Sequence, residues 1–537
     1  MRSCWIVMGA LCALWLCLSA TACKCEEEAA EKPAGEAAPR VESTLDKLPG
    51  ASRVDLSALI PADVDAVVMS DRPAALWTWL QGRDWFQGVR ASPVWADMLF
   101  SDALYRLSTA RHRLAGMSPV KLEKLDLSEV LATPAGLATR NLGEGQAVLL
   151  VKQIDLKIQA LDRLAELFNQ IEAGRFAEIE DDGLKFRQVD LGQGSELFYA
   201  VFSNLLLVSN DRKMLLDSLH LSAGKAGESL AADEEAKKLL AARKADDLVI
   251  LLQPDGSGDW LETALPMKLL ALTWSTGGSP KLAIAGALAG EQPAGGALVE
   301  AAAVARVLPA DSRLVLGRSG LPLAEIWRAL VKTGQPEKDE ALAQLEARLL
   351  EGLDARAVFV LQGFQLETRP RPEAAVLVQL GKADGIEPLV SDAFESFFGR
   401  KPEEEKTESG RKLYRIAGEI QAAFAVVDGW LVMGTTPESV RRVVAAASGQ
   451  APSLADGSFA AAMGSQGLFG LAFVDCDRLG ADLDAYAKAL LKSGQRFSAT
   501  DVDETLGPFL AAVRKVGKLA GRLERKANQV EGSLVPL

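Results

Sequence analysis

The chain is poor in the residues that most often carry chemistry. Its 537 residues include two histidines, His112 and His220, and six cysteines, of which Cys4, Cys12, Cys17 and Cys23 fall at the very start. Only Cys25 and Cys476 lie beyond them, so no disulfide framework is available and stability has to come from packing. A histidine-based metal site or triad needs partners within bonding reach. His112 stands between Arg111 and Arg113, whose charge opposes both metal binding and protonation. His220 follows Leu215, Leu216 and Leu219 and reads as the rim of a buried helix face. No Gly-rich phosphate loop and no paired-carboxylate constellation is present, so the sequence assigns no catalytic residue, no metal and no cofactor. A net charge of −13 argues against nonspecific nucleic-acid binding, which needs Lys and Arg to displace counterions.

Long apolar runs are scarce as well. The stretch from Trp5 to Leu18, entered after Arg2, falls short of the roughly 20 residues that span a bilayer and stops before Lys24-Cys25-Glu26-Glu27-Glu28. A charged start, an apolar middle and small residues ahead of a cleavage point describe a secretory signal peptide. Leu18-Ser19-Ala20-Thr21-Ala22-Cys23 resembles the lipobox of bacterial lipoproteins, departing only at Ala20, where leucine is commonest. The resemblance implies cleavage after Ala22, diacylation of Cys23 and anchoring in a membrane. Two or more acyl chains hold a protein stably on a bilayer. Lys24, in place of an aspartate after the cysteine, favours the outer membrane facing the periplasm over the inner membrane. Residues 1–22 are thus the expected signal peptide. Residues 23–53, charged and without apolar periodicity, are the expected tether.

Beyond the tether, 49% hydrophobic and 24% charged residues belong to a globular chain with a real core. The body reads as a duplication, 54–297 and 298–537. Ile60-Pro61-Ala62-Asp63 and Leu308-Pro309-Ala310-Asp311 each open an apolar strand followed by a helix, carrying Trp77 in one and Trp327 in the other. Residues 146–154 match 373–380, Phe186-Arg187 matches Tyr414-Arg415, and 197–215 matches 420–440. The last pair reads as hairpins turning at Asn204 and at Asp428-Gly429, each running into a helix. The final hairpins are 269–289 and 518–537. Directly joined hairpins cannot all be parallel, so the expected class is α+β: two tandem, duplicated domains of mainly antiparallel sheet with packed helices. The Ile/Leu-Pro-Ala-Asp opening, the aromatic-bearing helix and the hairpin–helix unit resemble the bacterial family called domain of unknown function 3352. Its members are secreted or membrane-attached, so the resemblance implies fold and location and brings no catalytic residues.

Five remaining features bear on function. Cys476 lies between Asp475 and Asp477 and is expected to be an inert strand-end thiol with a raised pKa; the two carboxylates alone are a thin basis for a cation site. Ser222-Ala223-Gly224-Lys225 and Lys332-Thr333-Gly334 match two marks of penicillin-recognising enzymes, but in the wrong local structure. Glu337 to Asp354 reads as an amphipathic helix, and Lys515, Lys518, Arg522, Arg525 and Lys526 as a charged edge strand. Trp77, Trp79, Trp85 and Trp95 cluster in the first half; packing accounts for such spacing, and an interaction surface is the alternative use. The sequence therefore points to non-catalytic binding or scaffolding at the membrane, with a protein partner or a lipid ligand. A periplasmic carrier of lipid or another hydrophobic ligand stays open, and so does a carboxylate-based hydrolase.

Overall fold

The structure, a computed structural model, describes residues 54–90, 133–140, 147–153, 176–192, 195–202, 204–225, 227–241, 247–253, 267–275, 281–288, 298–321, 340–367, 370–418, 421–464, 467–492, 501–526 and 529–537. The chain divides into two compact units. One comprises Met1–Arg83, Trp95–Asp255 and Leu269–Leu282; the other comprises Asp84–Val94, Gly256–Lys268 and Ala283–Leu537.

The strands of the first unit are β1 (Ala66–Ser70), β2 (Ala135–Arg140), β3 (Ala147–Gln153), β4 (Phe176–Asp181), β5 (Leu184–Gly192), β6 (Ser195–Phe202), β7 (Leu205–Ser209), β8 (Asp247–Leu252) and β9 (Met267–Ser275). They pair antiparallel in the order β9-β8-β1-β2-β3-β7-β6-β5-β4. Its helices are α1 (Pro73–Gln81), α3 (Arg212–Ser222) and α4 (Glu234–Ala241), while α2 (Asp84–Arg90) belongs to the second unit. Next in the chain come β10 (Lys281–Leu288), which contains the unit boundary, and the two-residue β11 (Val299–Glu300).

The second unit continues with β12 (Leu314–Arg318), β13 (Leu353–Gln365), β14 (Arg371–Leu380), β15 (Glu403–Lys406), β16 (Lys412–Arg415), β17 (Ala423–Val427), β18 (Trp430–Gly434), β19 (Gly467–Leu468), β20 (Gly470–Asp475), β21 (Lys518–Lys526) and β22 (Gln529–Pro536). Apart from the β11–β19 pair, these run antiparallel as β22-β21-β20-β12-β13-β14-β18-β17-β16-β15. The helices are α5 (Ala301–Val307), α6 (Glu340–Gly352), α7 (Ile386–Phe398), α8 (Pro437–Ala447), α9 (Ser458–Met463), α10 (Cys476–Lys492) and α11 (Gly507–Arg514). A large antiparallel sheet with eleven helices among the described residues is the α+β class read from the sequence.

The order of nine strands in one unit matches that of nine in the other, and the pinning contacts match too. Leu230 N–H donates to Ile60 O at 2.8 Å and Leu454 N–H to Leu308 O at 2.9 Å; Ala62 N–H reaches Glu228 O at 2.9 Å and Ala310 N–H reaches Pro452 O at 3.0 Å. Pro61 and Pro309 each make an isolated bridge, to Ser229 and Ser453. The Pro-Ala-Asp openings thus tie each first strand to the turn after the hairpin helix. Asp63 pairs with Arg140 and Asp311 with Arg442.

Local chemistry explains the turns and caps. Asp428-Gly429 has φ of 49° and 79°, the left-handed pair that a two-residue hairpin needs, and Asp182-Gly183, at 51° and 72°, closes β4–β5 in the same way. Asp211 caps α3 by accepting from Met214 N–H at 2.7 Å, and Thr436 caps α8 by accepting from Ser439 N–H at 3.1 Å. One sheet face of the second unit buries Val315, Val358, Val360 and Leu377 under Val440, Val443 and Val444 of α8. At about 1.5–3 kcal/mol per fully buried aliphatic side chain, this core dominates the stability of that unit.

Several local expectations need correction. β2 and β13 stand ahead of the strands 146–154 and 373–380, and β4 and β15 ahead of the Phe186 and Tyr414 strands; none of the four was read from the sequence. Counted from the hairpins, Phe186 falls opposite Leu413 rather than Tyr414, since Arg187 pairs with Tyr199 as Tyr414 pairs with Phe424. β21, with its Lys518, Arg522, Arg525 and Lys526, is no edge strand, because it is paired with β20 on one side and β22 on the other. Cys476 opens α10 rather than closing a strand.

Lys152 on β3 is buried, 8% exposed, and its ammonium donates to Thr133 Oγ1 at 2.8 Å and Thr133 O at 3.2 Å. Burial pulls it from 10.5 down to about 7. The unfolded chain then holds this proton over a pH range where the folded chain has released it. The desolvation cost is full below about pH 7 and fades as the pH rises towards 10.5. Wild type is expected to gain on Lys152→Met by roughly 1.4 kcal/mol per pH unit between pH 7 and 9. Urea unfolding of both at several pH values measures this, and parallel pH curves would show that the lysine is not desolvated as described.

Candidate functional site

The residues singled out in the sequence come first. Cys23, Cys25, His112, Trp95 and Lys332-Thr333-Gly334 lie outside the described residues. Trp77 faces inward from α1 at 8% exposure. Trp79, half-buried, meets Trp274 of β9 edge-on at 5.3 Å, and the Arg83 guanidinium lies 4.5 Å from the Trp79 ring centroid. The indole N–H groups of both Trp79 and Trp274 are buried without a partner among the described residues. Trp85, on α2, is half-buried and edge-on to Phe86 at 5.8 Å.

The reactive-looking groups are engaged structurally. Cys476 is a free, buried thiol pushed upward by burial first and by Asp475 second, the reverse of the weight the flanking carboxylates received in the sequence. Asp475 caps α10 by accepting from Arg478 N–H at 3.1 Å and sits 3.7 Å from Lys518, while Asp477 accepts from Arg514 at 2.8 Å. Ser222 Oγ donates to Ser218 O at 2.8 Å within its helix. Lys225 reaches Asp182 Oδ2 at 3.1 Å, and His220 Nε2 lies the same distance from that carboxylate. Those contacts, led by the Lys225 hydrogen bond, hold Asp182 below its usual range.

Carboxylates gather at one place, the β13 bulge at Gly363, where Asp482 and Glu373 approach. Arg313 Nε donates to Asp482 at 2.7 Å, and Arg442 pairs with Asp311 and lies 3.7 Å from Glu373. Each acid there has a guanidinium beside it, an arrangement that neutralises the group rather than poising one carboxyl against another for acid–base work. A depression of about 710 Å³, open to solvent, is lined by Arg306, Ala447, Gly449, Gln450, Ser453 and Asp456. Asp456 there already accepts from Ser453 N–H at 2.8 Å.

The clearest departure between the units is a cross-strand row. In the first unit, Val68 of β1 pairs with Leu137 of β2 and Ile250 of β8, and these are 1%, 3% and 4% exposed beneath Leu76 and Leu80 of α1. The matching row of the second unit is Leu316, paired with Phe359 of β13 and Ala472 of β20. Leu316 is 48% exposed and Phe359 36%. On either side the same sheet is covered: α6 and α7 bring Leu349, Ile386 and Val390 against Leu380 and Leu431, and Tyr486 of α10 packs on Phe364 with ring centroids 4.6 Å apart and planes tilted by 34°.

Two residues along β12 from Leu316, on the same face, stands Arg318. Its Nε and Nη1 are buried with no hydrogen-bond partner among the described residues. The guanidinium lies 5.0 Å from the Phe469 ring, which Arg525 approaches from 6.0 Å. Burial, then the charge of Arg525, brings Arg318 down to about 10. Sequence reading missed this site because nothing in Leu314–Arg318 distinguishes it from an ordinary strand; the signal lies in the pairing.

No family model matches the chain, and no curated protein matches it. Among solved structures, it is similar to crystal form IV of TP0453 with a TM-score of 0.24 and 8% identity, over 44% of this chain and 81% of that one. It is similar to crystal form I of TP0453 with a TM-score of 0.22 and 8% identity, over 73% and 97%. Likenesses at this level carry no argument about fold or ligand.

The two rows predict opposite responses to truncation. Leu137→Ala should cost about 2–5 kcal/mol, as deletion from a closed core does, whereas Phe359→Ala should cost roughly 1 kcal/mol or less. Thermal or urea unfolding of the two variants decides it, and equal losses would mean that the second row is as enclosed as the first.

Proposed function

We propose that the chain is a lipid-anchored protein of the cell envelope whose body, a duplicated pair of α+β domains, works by binding rather than by catalysis. Cys23 carries the acyl chains in this reading, residues 23–53 tether the body, and Lys24 favours the outer membrane with the body facing the periplasm. The common strand order and the paired Pro-Ala-Asp contacts support the duplication. They sit easily with the resemblance to the family called domain of unknown function 3352.

The observation that carries binding is the row at Leu316 and Phe359. Solvent-exposed aliphatic and aromatic side chains side by side on a central strand pair are costly to leave in water, and an equivalent row on a related scaffold is closed by a helix. An exposed apolar surface flanked by covered sheet is what a hydrophobic ligand or partner would use. The tryptophans of the first unit are the second candidate surface, with the unmet indole N–H of Trp79 as its recommending feature.

Two measurements test the proposal. Cys23→Ala should abolish incorporation of labelled palmitate and move the protein from the membrane pellet to the soluble fraction; unchanged fractionation would sink the anchor. The neutral dye Nile red should bind the purified Cys23→Ala chain, with binding reduced about tenfold or more by adding Leu316→Asp. Binding insensitive to that change would remove the row from the reading.

A further inference from the structure

We infer that the Leu316–Phe359 row, with Arg318 beside it, is a site for a long-chain carboxylate: a fatty acid whose chain lies on the row and whose head meets the guanidinium. The inference rests on the binding reading above and specifies its ligand class.

Arg318 carries an unmet charge. A half-buried guanidinium with two buried nitrogens, Nε and Nη1, lacking acceptors is a costly arrangement, because donors removed from water are not repaid. No ion pair of Arg318 occurs among the described residues, and its cross-strand neighbours, Ala357 and Gly470, have no polar side chain to offer. Phe469 supplies a ring face but no acceptor oxygen. The second cation, Arg525, adds positive potential at the same ring. An anion at this place would gain charge-assisted hydrogen bonds and relieve the repulsion between the two guanidinium groups.

The second step is the apolar surface next to it. Arg318 and Leu316 are alternate residues of one strand, about 6.6 Å apart along its axis, so a head at one and a chain at the other belong to a single ligand. Phe359 lies directly across from Leu316, and half-buried Val376 extends the row over β14 as far as Met433 of β18, which packs against the cluster under α6 and α7. At roughly 4.8 Å per strand, the row from Ala472 to Val376 is about 14 Å long and one side chain wide. That shape takes one alkyl chain, and one unpaired cation takes one negative charge.

The first unit provides the control within the molecule. Its row is closed, Ser70 stands at the position of Arg318, and the cation in the same cross-strand line, Lys152, is met by Thr133. The combination of open row and unmet cation occurs in the second unit.

The test uses the full chain in phosphatidylcholine vesicles with palmitate carrying a photoreactive diazirine, and the labelled peptides are mapped by mass spectrometry. Label on β12 and β13, displaced by palmitate about tenfold more effectively than by hexadecanol, is the expected result. Arg318→Met should erase that preference, and Arg318→Gln serves if the first variant unfolds. Equal displacement by acid and alcohol, or a preference untouched by both variants, overturns the carboxylate assignment. Nile red binding that still depends on Leu316 would then leave the broader binding reading standing. Absence of label from both strands also overturns it, whether the row is taken by residues 322–339 or by a protein partner; loss of the Nile red signal as well would remove the binding reading too.

Discussion

A sheet has two faces, and a chain that builds one has to cover both. Everything informative about this protein follows from how that requirement is met. In the first unit β1 is buried at all five of its positions, Ala66–Ser70. In the second, the corresponding β12 alternates between buried Val315 and Gly317 and open Leu316. The backbone ladder is the same in both cases, because antiparallel pairing depends on main-chain groups that are indifferent to side chains. Among the described residues, what differs is the layer above one face: α1 lies over the row of the first unit, and Leu316 and Phe359 of the second are exposed. A fold can conserve its ladder completely and still expose a new surface by changing which segment lies on it.

Charge obeys the same requirement more strictly. An apolar side chain left open costs in proportion to area, whereas a cation taken out of water costs several kcal/mol unless something meets it. Lys152 and Arg318 occupy one cross-strand line of their respective sheets and show two solutions. The lysine gives up its proton easily, near pH 7, and leans on Thr133 for the rest. An arginine has no such exit: even brought down to about 10 it stays charged at neutral pH, so its cost persists until an acceptor arrives. Arg318→Met is therefore expected to leave stability unchanged or raise it, which separates a binding residue from a structural one.

Much of the architecture was legible in the sequence, and the limits have identifiable causes. The Ile/Leu-Pro-Ala-Asp openings, the Asp428-Gly429 turn and the hairpin–helix unit were readable because proline, glycine and capping residues act locally. β2 was not, since Ala135-Gly136-Leu137-Ala138-Thr139-Arg140 is short on β-branched residues and forms a strand only because β1 and β3 pair on either side of it. β15, Glu403-Glu404-Glu405-Lys406, has no apolar periodicity at all and is held by β16 alone among the described pairings. The basic residues of β21 read as an edge because alternation shows which residues face solvent, but not whether a further strand follows. Arg318 was invisible for the same reason: whether a guanidinium has an acceptor depends on Gly470 and Ala357, more than 150 residues away in one case and about 40 in the other.

The shared strand order of the two units lets one be read against the other. A single exposed Leu316 would be unremarked on most proteins, since much of any folded surface is apolar. Set against Val68 in the matching position, the same leucine marks a place where a closed row has opened, and Ser70 against Arg318 marks a small neutral group replaced by a large cation at its end. Random drift opening the row would be expected to make it more polar, as solvent exposure favours polar side chains. Here it stays apolar, with Phe359 at the position of Leu137 and Ala472 at that of Ile250. The exposed Leu316–Phe359 row and the unmet Arg318 each cost stability, and side by side they are chemically complementary to an amphiphile with a negative head, the ligand class inferred above.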